Sequence, residues 1–288
     1  MLIALLALTT AASCQALFVP KSKGKLKSPL GHAKMAADCC VLDVFFVNVP
    51  FGDARVNEEL WQEIDEQRID PDLRQRLGQN GFRVGMVDGQ IPIVLSQLMK
   101  LNDKNVATEQ VVCDDLAKTA DPSSVSQKHI QARTGQPSLI AATGIFDELT
   151  VLVSDSGELG GETFEQAQSM MLVKAYPQPD GQVRLEVTPE LHHGQPRQKF
   201  AFDESGGMAR MDFERRKRSY NHLTTSAKLA PGSMLLFCCA PDRLGSLGQQ
   251  FFTEKDGKTT QKLLVIRLSG TQRDDLFDPG ETLNLPDK

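Results

Sequence analysis

The side chains with the most chemical promise are two adjacent histidines, His192 and His193, in the stretch YPQPDGQVRLEVTPELHHG. Imidazole is the commonest metal ligand and the usual general base near neutral pH. Adjacent histidines rarely hold one ion, however, and no motif spacing links them to His222, the best third candidate. Their surroundings read as structure. Pro179-Asp180-Gly181 turns the chain into a strand over 182–188, with Val183, Leu185 and Val187 on one face. Arg184, Glu186 and Thr188 take the other face. Pro189 lacks an N–H and is expected to end the ladder, which leaves the histidines in the turn beyond it.

Four carboxylates, Glu58, Glu59, Glu63 and Glu66, offer a second chemistry as metal ligands or acid/base groups. No histidine accompanies them, and they fit the solvated face of a helix whose inward stripe is Leu60, Trp61 and Ile64. The basic run ERRKRS at 214–219 has the composition of a nucleic-acid patch, but a net charge of -5 and only one Trp and two Tyr argue against that partner. An exposed strand edge, where charge discourages intermolecular pairing, accounts for it better. Six cysteines form no C-x-x-C: Cys39-Cys40 and Cys238-Cys239 are adjacent pairs, and Cys14 and Cys113 stand apart. There is no P-loop, G-x-G-x-x-G, G-x-S-x-G or H-E-x-x-H. The sequence therefore offers no catalytic, cofactor-binding or metal site, and the expectation is a protein that is not an enzyme.

Cys14 is the one candidate site, for lipidation. It follows MLIALLALTTAAS, a short apolar core and then small residues, which resembles the export signal of a bacterial lipoprotein. Ala11 stands where such signals usually carry Leu, and no Lys or Arg precedes the apolar core. Residues 1–13 read as an export signal. Residues 14–40, with Lys21, Lys23, Lys25 and Lys27 spaced by small residues, read as a basic flexible linker. Lipid on Cys14 would anchor the protein to a membrane.

The elements that must position these groups fall into two textures. Residues 41–104 read as strand, helix, helix, strand, helix. VLDVFFVNVPFGD is apolar on both faces, as in a doubly covered strand. Asn57 caps the first helix, Asp70 with Pro71 starts the second, and Asn80-Gly81 ends it. Residues 105–268 read as short alternating strands separated by Gly, Pro and Asp, in an antiparallel arrangement. AKLAPGSMLLF reads as a hairpin through Pro231-Gly232. Residues 269–288 are polar and form a loose tail. The fold class is α+β, a helical N-terminal part followed by a predominantly antiparallel, β-rich domain.

The order of motifs from about 165 to 268 resembles the C-terminal β-domain of bacterial secretins. It shows a strand, a Pro-Asp-Gly turn and a strand near Pro-Glu in MMLVKAYPQPDGQVRLEVTPEL. Then come AKLAPGSMLLF, the Leu-Gly loop of DRLGSLGQQFF and a last strand, QKLLVIRLS. The chain departs from that pattern in having no prolines in GSLGQQFF. Nor does a pair of strands of about 9 to 11 residues in this region have one face wholly apolar, as a membrane-inserted lip requires. The resemblance implies a secretin-like fold and a periplasmic or lipid-anchored place in the bacterial cell envelope. Its implied role is assembly or protein interaction, through protein partners or self-association and without nucleic acid. The competing expectation is a small-ligand-binding or hydrolytic protein with its site between the helical front and the β-rich rear.

Overall fold

The computed structural model describes residues 39–100, 125–155, 157–202, 209–256 and 258–271; Cys14, Cys113 and the expected export signal lie outside them. The chain runs β1 (Cys39–Pro50), a π-helical turn (Arg55–Glu59), α1 (Leu60–Gln62), α2 (Pro71–Gln79), β2 (Phe82–Val87) and α3 (Ile93–Lys100). It continues through β3 (Val125–Arg133), β4 (Ser138–Asp155), β5 (Glu158–Pro177), β6 (Val183–Phe202) and β7 (Ala209–Ser219). After a 3-10 turn (Asn221–Leu223) come β8 (Thr225–Leu229), β9 (Met234–Cys239), α4 (Leu247–Phe252), β10 (Thr253–Asp256) and β11 (Lys258–Thr271). The protein is strand-rich, and its sheets are antiparallel.

One sheet has the order β2-β9-β11-β1-β3, with β10 beside β11; the other has β4-β5-β6-β7, with β8 beside β6. The first sheet thus interleaves strands from 41–104 with strands from 105–268. Its two faces are both covered. Leu42, Val44, Phe237 and Leu264 meet Val151, Val173, Leu185 and Leu229 of the second sheet. Phe45, Val47, Leu236 and Val265 meet Val56, Leu60, Trp61 and Leu95 from the helical segments. This is why β1 is apolar on alternate and intervening positions alike, and why both Cys238 and Cys239 are buried although neighbours on a strand face opposite ways.

Local capping follows the sequence at α2 but not at Asn57, which lies inside the π-helical turn, caps no helix and instead exchanges side-chain hydrogen bonds of 3.0 and 2.8 Å with Gln261. Asp70 Oδ1 accepts the Leu73 N–H at 3.0 Å, with Pro71 at the first helical position. Trp61 is 6% exposed and packs over Gly85, where a Cβ would stand 2.3 Å from Ile64 Cγ2. Glycine at that position is what lets the helical layer sit directly on the β2 backbone.

Four further expectations change. Pro189 does not end its strand; 182–188 and 197–203 belong to one long β6, which pairs Met171 with Pro189 and goes on past the histidines. The reason lies in the other neighbour. β8 pairs with β6 at 183–187 and β7 pairs from 190 onward, so Pro189 faces the gap between them. Its carbonyl accepts the Tyr220 N–H at 3.0 Å there, and its own missing donor, on that same side, has no ladder partner to lose. AKLAPGSMLLF is not a hairpin, because β8 lies in one sheet and β9 in the other; the turn at Ala230–Ser233 carries the chain across the core. β1 starts at Cys39, two residues inside the expected linker. β11 runs to Thr271, three residues inside the expected tail.

Candidate binding cleft and open sheet edge

The two histidines sit on β6 rather than in a turn, and alternation separates them. His192 Nε2 donates to Glu190 Oε2 at 3.0 Å, and Ser219 Oγ donates to Glu190 Oε1 at 2.6 Å. Glu190 is 2% exposed. Burial pushes its pKa up, but the hydrogen bonds from Ser219 and His192 and the nearby Lys217 charge outweigh this and hold it below the ordinary carboxylate range. Serine, histidine and an acid are thus together, yet the acid stands in the middle. Activating a serine needs the imidazole between the other two. The cluster is a clip joining β6 to β7. His193, on the other face, packs its ring 4.9 Å from that of Phe164, and burial followed by the Arg216 and Arg215 charges lowers its pKa. Among the described residues, no three His, Cys, Asp or Glu side chains converge as metal ligands.

Glu58, Glu59 and Glu63 lie on the exposed helix face. Glu66 instead takes Arg83 in a two-pronged pair at 2.9 and 3.1 Å, and that guanidinium lies 4.2 Å over the Trp61 ring. Burial raises the Cys40 thiol to about 11 and the Cys239 thiol to about 12.

Between the β4–β5 tip and the end of β7 lies an open cleft of about 520 Å³. Asp155, Glu158 and Glu162 line one side, and Arg218, Tyr220 and His222 the other. Arg218 pairs with Glu162 at 3.2 Å and stands 5.9 Å from the Tyr220 ring centre. Tyr220 is 2% exposed and its hydroxyl is buried with Arg218 as its polar neighbour, while His222 Nε2 is buried without a hydrogen-bond partner. Burial, reinforced by the Glu162 charge, drives the phenol pKa well up and keeps it neutral. A second cleft of about 520 Å³, on the α2 side of His222, reaches Asp72, Gln75 and Arg76.

Asn80, which closes α2, is fully buried. Its amide exchanges two 2.9 Å hydrogen bonds with the Ser154 N–H and carbonyl and donates a third, also 2.9 Å, to Arg76 O. In effect a side chain pairs with β4 as another strand would. Sequence reading took Asn80 only as the end of a helix; its partner is 74 positions away, and nothing local announces it.

The same contacts block an edge. On β4, Leu152 N–H donates to Gly245 O at 2.9 Å, Ser154 is taken by Asn80, and Thr150 O accepts Gln250 Nε2 at 3.3 Å. On β2, Met86 exchanges both backbone hydrogen bonds with Asp65. Among the described residues β7 ends its sheet with no strand beyond it, and Glu214, Arg216, Lys217 and Arg218 are exposed along it. The basic run 214–219 is therefore an edge strand, as expected.

No protein-family model matches the chain, and no curated protein matches it. Among solved structures it is similar to the InvG secretin domain beta-barrel from the Salmonella SPI-1 injectisome NC-base, at 10% identity and a TM-score of 0.22. The match covers 81% of this chain and 61% of that one. It is a coarse structural likeness to a secretin domain.

Proposed function

We propose that this protein is a non-enzymatic interaction module of the bacterial cell envelope, exported, held at a membrane through lipid on Cys14, and acting in assembly through protein partners or copies of itself. The observation that carries this reading is the contrast between edges. β4 and β2 have backbone groups taken by Asn80, Gly245 and Asp65, whereas among the described residues no strand pairs with the outer side of β3 or of β7, and β7 carries the basic run. An unpaired strand edge is a template for adding a strand from another chain, and the Arg and Lys side chains would restrict that pairing to an acidic one. The secretin-like order of motifs supports the same reading. The two carboxylates whose pKa values are lowered, Asp53 and Glu190, belong to structural pairs and line neither cleft, which weighs against a hydrolytic site.

The test is native mass spectrometry and crosslinking of the full chain recovered from bacterial envelope fractions. Self-assemblies or a defined heteromeric complex are expected, and Arg216→Glu should weaken them without lowering thermal stability. A monomer in the soluble fraction, with no crosslinks through β7, would overturn the reading.

A further inference from the structure

We propose that Asn80-Gly81 is a self-modification site gated by the fold: it deamidates when the clamp between α2 and β4 opens and, once modified, keeps that clamp from closing again. This is the one Asn-Gly step in the chain. Asparagine is labile because the backbone nitrogen of the next residue can attack its side-chain carbon, and glycine, with no Cβ, hinders that attack least. The Gly81 nitrogen bonds to Asn80 Cγ and passes its proton to the departing ammonia, leaving a cyclic imide. Water then opens the imide at either of its carbonyls, giving aspartate or isoaspartate and a new negative charge.

The native structure closes every route to that ring. Asn80 is fully buried, and its amide is held by the 2.9 Å hydrogen bonds to Ser154 N, Ser154 O and Arg76 O. The attacking nitrogen is engaged too, since Gly81 N–H donates to Gly78 O at 3.0 Å. Ring closure needs that nitrogen eclipsed with Asn80 Cβ, and a ψ of 9° turns it to the far side. Rotating ψ would break the bond to Gly78 and the 2.8 Å bond that Asn80 O accepts from Gly248 N–H. Nor can the fold discard the labile pair. Gly81 has a φ of 75°, and a Cβ there would overlap the Ser246 side chain. After modification the clamp cannot be rebuilt as it was. A carboxylate has no donor for Ser154 O or Arg76 O, and isoaspartate lengthens the backbone by a methylene where α2 gives way to β2. One long opening is thus recorded as a covalent charge, and the β4 edge at Ser154 loses its block. This holds whether or not β7 takes a partner.

The experiment incubates the full chain in mildly alkaline buffer, native and in guanidinium chloride, and follows Asn80 by peptide mapping that separates aspartate from isoaspartate. In the denaturant Asn80 should convert faster than Asn221, which is exposed in the fold and followed by His222. In the native chain Asn80 should convert about a hundredfold more slowly than in denaturant, the factor that three broken hydrogen bonds represent. Asn80→Gln in denaturant should abolish the fast gain of charge at this position, because its amide would have to close a larger ring. The modified native fraction, separated by ion exchange, should unfold at lower urea than the parent. Equal Asn80 rates with and without denaturant, slower conversion than Asn221 in denaturant, a fast phase that survives Asn80→Gln, or an unchanged urea midpoint after modification would each overturn the proposal.

Discussion

Asn80→Ala tests whether a single buried amide ties the helical segment to the second sheet. Three hydrogen bonds disappear, to Ser154 N, Ser154 O and Arg76 O, each 2.9 Å long in the native protein. At about 1 kcal/mol net per bond the loss is about 3 kcal/mol. The Ser154 backbone groups are then left facing the void, which adds to that figure unless water enters. Against a typical stability of 5 to 15 kcal/mol, this is a large fraction. Asn80→Asp sharpens the test. It keeps an acceptor for the Ser154 N–H but turns a charge toward two carbonyl oxygens, so it should destabilise at least as much as alanine. Urea unfolding with an unchanged slope is the assay, with Gln79→Ala, an exposed neighbour, expected within about 0.5 kcal/mol of the parent. If Asn80→Ala also falls within about 0.5 kcal/mol, the amide is not a clamp and the β4 edge must be held some other way.

Three further outcomes can be measured on the same preparations. Trp61→Ala should cost about 3 to 5 kcal/mol, since the ring is 6% exposed beneath Arg83; a loss under about 1 kcal/mol would mean the helical layer is not a core. Leu185→Asp places a carboxylate at a fully buried position between the sheets and should destabilise by several kcal/mol or prevent folding, whereas Arg184→Ala on the opposite face should not. Glu190 has a folded pKa below its ordinary 4.5, so its contribution is present above that value and lost as pH falls through the folded one. Acid unfolding of Glu190→Gln should accordingly be shallower below about pH 4.5 than that of the parent, and parallel curves would remove Glu190 from the account.

What the sequence revealed was whatever depends on neighbours along the chain. The period-2 pattern of Val183, Leu185 and Val187 identifies a core face, the Asp70-Pro71 pair identifies a helix start, and the double-sided apolar run of β1 identifies a strand covered twice. What it concealed depends on partners far away. Pro189 reads as a terminator because a missing donor normally breaks a ladder; only the split between β7 and β8 makes that donor unnecessary. The histidine pair reads as a turn for the same reason. The cleft was illegible because its walls come from two distant stretches, 153–162 and 218–222, that no spacing rule connects. Cys14 remains an expectation from sequence, outside the described residues.

The interleaving of the first sheet also sets the order in which the protein can be made. β1 lies between β3 and β11, and β11 is synthesised about 200 residues after it. At roughly 5 to 20 residues per second, β1 waits about 10 to 40 seconds for the strand beside it. Through that interval the apolar twelve-residue segment CCVLDVFFVNVP lacks one of its two ladder neighbours. Closing so long a loop costs little extra stability but delays folding, because the contacts that reward it are the last to appear. The edge of β1 that faces β11 therefore stays open until that strand emerges, and for that time it is a template on which another extended segment can pair.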